Sequence, residues 1–132
     1  MFGIPSFNNY NANILKFMQY FTLFGAGGFG LIHLIYPEAL GLIFGAPSNT
    51  LMLGDMYIAS VFLSFALMAF LTIGSLDKYA PIAGFQGLYK AAWCIFFIAN
   101  FLLGNIEITF FTVIYFLIML SYVVGDYLAF KK

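Results

Sequence analysis

Four apolar runs, each about as long as a bilayer is thick, follow one another along this chain with short polar interruptions. They cover residues 14–36, 51–74, 83–103 and 108–130. Roughly 20 apolar residues are enough for an α-helix to cross the hydrocarbon core. Inside that core only a helix or a closed barrel satisfies its own backbone. The pattern predicts an all-α membrane protein, a single transmembrane domain over residues 1–132 folded as a four-helix bundle. Pro37 ends the first helix, because a proline pushes the residue before it out of the α region. Residues 37–45 (PEALGLIFG) are apolar but too short to span, which predicts a short interfacial segment between helices 1 and 2. Ser48 or Asn49 then caps helix 2, Asp77, Lys78 and Pro81 mark the turn before helix 3, and Gly104 and Asn105 make a tight connection to helix 4. Residues 1–13 are polar or turn-like, and the first apolar run lacks a small-residue cleavage site, so it reads as a helix retained in the membrane.

Composition strengthens this picture. Of 132 residues, 64% are hydrophobic and only 8% charged, against about 25% charged in an ordinary soluble domain. All five cations are lysines. The lack of arginine, the usual bidentate clamp for phosphate, argues against a nucleotide or nucleic-acid partner, as does the lack of any long basic run. Cys94 is the only cysteine, so an intrachain disulfide, a C-x-x-C pair and a thiolate-rich metal site are excluded.

The charges also predict an orientation. In a four-crossing topology Lys16, Lys78, Lys90, Lys131 and Lys132 belong to the side that carries both termini, and Glu38, Asp55 and Glu107 to the other. The positive-inside rule then puts both termini in the cytoplasm of a bacterial inner membrane, or in the matrix of a mitochondrion.

Lipid gives helices no hydrophobic reason to associate, so small residues that allow close approach mark packing faces. Ser121, Gly125 and Ala129 form such a stripe on helix 4, and Gly87 and Ala91 on helix 3. Helix 1 carries the cluster Gly25, Ala26, Gly27, Gly28, Phe29, Gly30, and helix 2 carries Ser60 and Ser64. Packing within the bundle is the first reading of all of them. The glycine cluster also suits a partner subunit or a local unwinding. Aromatic residues make up 21% of the chain; the tyrosines and the single tryptophan near helix ends form an interfacial belt, and the phenylalanines are chiefly lipid-facing filler.

Ionisable residues in a membrane are costly, so each marks a candidate site. Lys90 and Asp126 fall at similar depth beside the two small-residue stripes, which predicts a structural ion pair between helices 3 and 4, with a proton relay or anion site as the alternative. His33, Asp55, Glu38 and Glu107 gather towards the opposite side. A His33–Asp55 hydrogen bond is the plain reading; a metal, proton or headgroup site is the other. A lone His33 also allows a haem, chlorophyll or quinone as a minor reading, and otherwise no cofactor is expected. None of the four runs places an ionisable residue at its midplane, and no nucleophile elbow, P-loop or dinucleotide fingerprint occurs.

The chain resembles the DoxX-like group of small four-helix bacterial membrane proteins. The features are the glycine-rich helix 1 followed by His33, Tyr36-Pro37-Glu38, a short apolar segment ending at Gly45, Gly54-Asp55-Met56-Tyr57, Gln86-x-x-Tyr89-Lys90-x-x-Trp93 and Gly125-Asp126. The group's namesake is linked to a quinone-reducing complex, so the resemblance implies an accessory membrane subunit near respiratory chemistry; no catalytic residue comes with it. The expected function is therefore a non-catalytic accessory subunit of a larger membrane complex. It would contact lipids and other integral subunits, or copies of itself. The alternatives are a small oligomeric transporter or channel, and a lipid- or quinone-binding membrane enzyme using His33 and Asp55.

Overall fold

The computed structural model describes residues 7–36, 38 and 53–131, without the side chains of residues 53–55. The expected interfacial segment and the Ser48–Asn49 cap lie outside the described residues. Four helices account for nearly all of what is described: α1 (Ala12–Ile35), α2 (Leu53–Gly74), α3 (Leu76–Leu102) and α4 (Phe110–Phe130). At 1.5 Å per residue, even the 21-residue α4 is about 30 Å long, the thickness of the hydrocarbon core. All four helices are long and apolar enough to cross a membrane.

Local chemistry sets the boundaries. Asn11 caps α1, its side-chain oxygen accepting from the backbone N–H of Asn13 at 3.1 Å and of Ile14 at 3.2 Å. Gly104 closes α3 in the left-handed region with φ 71°, a conformation that suits glycine. Thr109 opens α4 with a capping box shared with Thr112. The third helix departs from expectation. It starts at Leu76, directly after the Ser75 break, and runs through Pro81. A proline this near a helix start withholds one hydrogen bond, to the Asp77 carbonyl, and the helix continues past it.

The helices go around the bundle in chain order. The α1–α2 pair packs most intimately, α4 lies against α3 and α1, and α2 meets α3 more loosely. Glycines explain the close pair. A Cβ on Gly30 would stand 2.9 Å from Leu63 side-chain carbons and 3.3 Å from the Leu63 backbone nitrogen, and one on Gly27 would meet Ala66 at 3.5 Å. Ala66 is buried at this contact, and Ala59 and Ala69 of α2 are buried too. Ser60 and Ser64, the small residues expected to pack there, are exposed, and Ser60 donates instead to the Met56 carbonyl at 2.7 Å. Helix α1 runs unbroken through its glycine cluster.

On α4 the expected stripe splits. Ala129 is fully buried and Gly125 packs against Met18 of α1. Ser121 is exposed and donates to the Ile118 carbonyl at 2.6 Å. Four residues in a helix turn slightly more than one full turn, so a stripe at this spacing drifts off the interface. Large side chains such as Phe24, Phe96 and Leu102 point outwards, as lipid rather than water requires. The chain is therefore an integral membrane protein with a four-helix bundle.

Candidate functional site

The centre of the bundle is polar. Working inwards from the end that carries the termini, a first layer is apolar: Leu15, Ala80, Ala83 and Ala129. One turn deeper come Gln19 on α1, Gln86 on α3 and Asp126 on α4, all buried. The next layer holds Thr22, Lys90 and Tyr122, also buried. Beyond it Cys94, Tyr115 and Met119 form a second apolar cluster with Phe29 and Trp93.

Lys90 stands near the middle of the 27-residue α3, at the level of Thr22 and Tyr122, which are themselves near mid-helix. Lys90 thus lies further from the start of its helix than the 83–103 run implied. The reason is the earlier start of α3: counted from Leu76 rather than Ala83, Lys90 moves two turns deeper. Its ammonium donates to Thr22 Oγ1 at 3.3 Å and lies 3.8 Å from the centroid of the Tyr122 ring. That ring is fixed by stacking on Phe21 at 4.4 Å and by donation from its hydroxyl to the Phe21 carbonyl at 2.8 Å. Gly25 leaves the space that the Tyr122 hydroxyl fills.

An ammonium at the centre of a membrane helix costs about 2.5–3.5 kcal/mol on insertion scales. A hydrogen bond to a charged group returns about 1.5–3 kcal/mol and a desolvated cation–π contact about 2 kcal/mol. Thr22 and Tyr122 together therefore offset the burial. An ammonium carries three donors, so donors remain for a further acceptor.

That acceptor has a place to sit. A cavity of about 70 Å³ opens at Lys90, walled by aromatic side chains of all four helices, among them Phe29, Phe62, Phe65, Trp93 and Tyr115. Trp93 meets Tyr115 edge-on at 5.0 Å and stacks on Phe97 at 5.3 Å. Phe62, Phe65 and Tyr89 also line an outer cleft of about 110 Å³ with Tyr57, Ile58 and Val61. Cavity and cleft share these three side chains at the α2–α3 seam, and the Phe65–Tyr89 edge contact at 5.4 Å stands between them.

Asp126 lies across the α3–α4 interface from Lys90, within electrostatic range. Gly87 makes room for it: a Cβ there would be 3.0 Å from Asp126 Cβ and Oδ2. Asp126 Oδ1 is buried without a hydrogen-bond partner. Asp126 also lines a groove of about 220 Å³ on the other side of that interface, with Gly84, Gly87, Ala91, Phe7 and Lys131.

The opposite group is described only in part. His33 is buried in the last turn of α1, Glu38 is half-buried and Glu107 exposed. The Asp55 side chain lies outside the described residues. No three His, Cys, Asp or Glu side chains among the described residues could hold a metal ion. Among the small residues of α1, Gly28 meets nothing within 4 Å, and Ala26 is buried and lines the Lys90 cavity. Sequence reasoning overlooked Gln19, Thr22, Gln86 and Tyr122 as site residues. Three of these sit one turn from the charges they accompany (Gln86 from Lys90, Tyr122 from Asp126) or face them from α1 (Thr22), so helical spacing around Lys90 and Asp126 was the available signal for the first two.

No family model matches this chain, and no curated protein or solved structure does.

Proposed function

We propose that this integral membrane protein binds a bilayer-soluble amphiphile in the Lys90 cavity. The molecule enters between α2 and α3 and presents an anionic or carbonyl oxygen to the ammonium. The observation that carries this reading is a buried lysine with spare donors facing an aromatic cavity, with only Phe62, Phe65 and Tyr89 between that cavity and an outer cleft. Ligand pockets are generally apolar with few convergent polar groups and hold about 300–1,000 Å³, so this cavity of about 70 Å³ takes only the oxygen-bearing end of the molecule and leaves the tail at the outer cleft. Fatty acids and quinones both fit this chemistry. The DoxX-like resemblance agrees with the reading, since Gln86, Tyr89, Lys90, Trp93 and Asp126 all fall in its motifs and all lie at or beside this centre.

Trp93, the single tryptophan, lines the cavity and serves as the reporter. Titrating the purified protein with a short-chain benzoquinone, and separately with a brominated fatty acid, should give saturable quenching of its fluorescence with at least one of them. Lys90→Met should weaken that affinity about tenfold or more, as loss of a charge-assisted hydrogen bond does. Non-saturable quenching by both probes, or equal affinity in the folded variant, would sink the proposal.

A second reading, an accessory subunit of a membrane complex, is supported by the groove between α3 and α4. Phe7 covers Gly84 and Asp126 covers Gly87, so a partner's transmembrane helix would approach over Ala91 and Val123.

A further inference from the structure

Four buried polar atoms in one layer lack a hydrogen-bond partner: Gln19 Oε1, Gln86 Oε1, Gln86 Nε2 and Asp126 Oδ1. Their residues are 1%, 4% and 5% exposed. Buried polar groups in native proteins are nearly always satisfied, by protein or by ordered water, and each one left bare costs about 1–3 kcal/mol. Helical register brings the three side chains to the same level. Gln19 follows Met18, which packs on Gly125 next to Asp126; Gln86 precedes Gly87, which packs on Asp126. The Leu15–Ala83–Ala129 layer lies on one side of them and the Thr22–Lys90–Tyr122 layer on the other.

An occupant of this layer must both donate and accept. Three oxygens need donors, while the Gln86 amide needs an acceptor and the Lys90 ammonium, one turn along α3, presents only donors. A bare cation would satisfy the oxygens but leave the amide bare and oppose Lys90. Water does both, and buried water typically makes about three such bonds. Asp126 also lines the groove that extends to Phe7 and Lys131. It lies about 6 Å from the end of α4 at 1.5 Å per residue, so one turn, the Leu15–Ala83–Ala129 layer, separates it from the terminal end.

We propose that Gln19, Gln86 and Asp126 hold internal water, and that this water connects Lys90 to the aqueous phase at the terminal end of the bundle for proton exchange. The titratable groups facing the layer are Asp126 and Tyr122 on α4 and Lys90 on α3; α1 contributes only Met18, Gln19 and Thr22, and α2 carries no titratable residue in its half nearer the termini. The exchange is balanced: a proton leaving the ammonium for the water chain is replaced by one arriving along it. The inference is independent of what occupies the aromatic cavity.

Nuclear magnetic resonance of the full chain in detergent micelles, labelled with ¹⁵N-lysine and ¹⁵N-glutamine, tests it. The Lys90 Nζ signal is assigned by its loss in Lys90→Met, and the Gln86 amide by its loss in Gln86→Met. The wild type should show water cross-peaks to the Gln86 side-chain amide and exchange of Lys90 Nζ protons with bulk water. In Gln19→Leu/Gln86→Leu that exchange should slow about tenfold or more, the loss of at least one hydrogen-bonded link, while Lys78 and Lys131 keep their rates. No cross-peak at Gln86 in the wild type would overturn the proposal. So would an unchanged Lys90 rate in the folded double variant, which would mean that exchange is fed through the aromatic cavity instead. If the double variant does not fold, Gln86→Met is read in the same way.

Discussion

A single side chain decides how this bundle is read. Lys90 is 5% exposed at the centre of a membrane helix, held by one hydroxyl and one aromatic face. The sequence displays Lys90 and Asp126 openly, because charges stand out in an apolar run. It does not display depth, which depends on where α3 starts. Pro81 looks like a stop signal, yet near a helix start it costs a single hydrogen bond, so the helix extends back to Leu76 and carries Lys90 inwards. Gln19, Thr22 and Gln86 are hidden for another reason: neutral polar residues in membrane helices are common, and only three-dimensional register gathers these into one layer. The glycines divide in the same way. Gly30→Ala should destabilise the protein by about 1–3 kcal/mol, the usual cost of overpacking, because its Cβ would meet Leu63 at 2.9 Å with backbone behind it. Gly28→Ala meets nothing within 4 Å and should be neutral or stabilise by up to about 1 kcal/mol through helix propensity. Unfolding in denaturing detergent measures both, and equal effects would show that Gly30 does not set the α1–α2 approach.

At the level of elements, the segment before α1 ties the terminal end of the bundle together. Phe7 fills the space over Gly84 and meets the Phe130 ring edge-on at 5.1 Å. The Asn11 N–H donates to the Ala129 carbonyl at 2.7 Å, and the Tyr10 hydroxyl donates to the Asp77 carboxylate. That last bond, followed by desolvation and the carboxylate's charge, holds the Tyr10 phenol above the usual tyrosine range. A phenol whose acidity falls on folding contributes stability that is fully present below the ordinary tyrosine value. The contribution is lost as pH rises through the raised value. The tie should therefore weaken only at strongly alkaline pH, and Tyr10→Phe should lower stability at neutral pH by the lost bond while removing that part of the alkaline dependence. An ultraviolet tyrosinate titration alongside thermal unfolding reads both, and an identical alkaline profile in Tyr10→Phe would refute it. None of these ties is written in hydrophobic pattern, since residues 7–11 read only as polar and turn-like. The apolar spans, by contrast, are plain from composition alone, as are the tight Gly104 turn and the number of helices.

For the whole molecule, an apolar exterior and a polar centre are arranged in one bundle. The α1–α2 pair packs closely at Gly27 and Gly30, while at the α2–α3 seam Phe65 meets Tyr89 edge-on beside the outer cleft. A bundle kept only for filling space beside other subunits has no need to bury a lysine, a carboxylate and two glutamines at its core, where apolar residues of similar volume are often as stable or more so. The bound amphiphile is the account's central claim. Native mass spectrometry of the chain extracted in mild detergent tests it most directly. The account predicts a discrete small-molecule adduct on the wild-type chain that is lost from folded Lys90→Met. A bare chain in both proteins, or the same adduct on both, would contradict it, and a co-purifying membrane protein without an adduct would favour the accessory subunit instead.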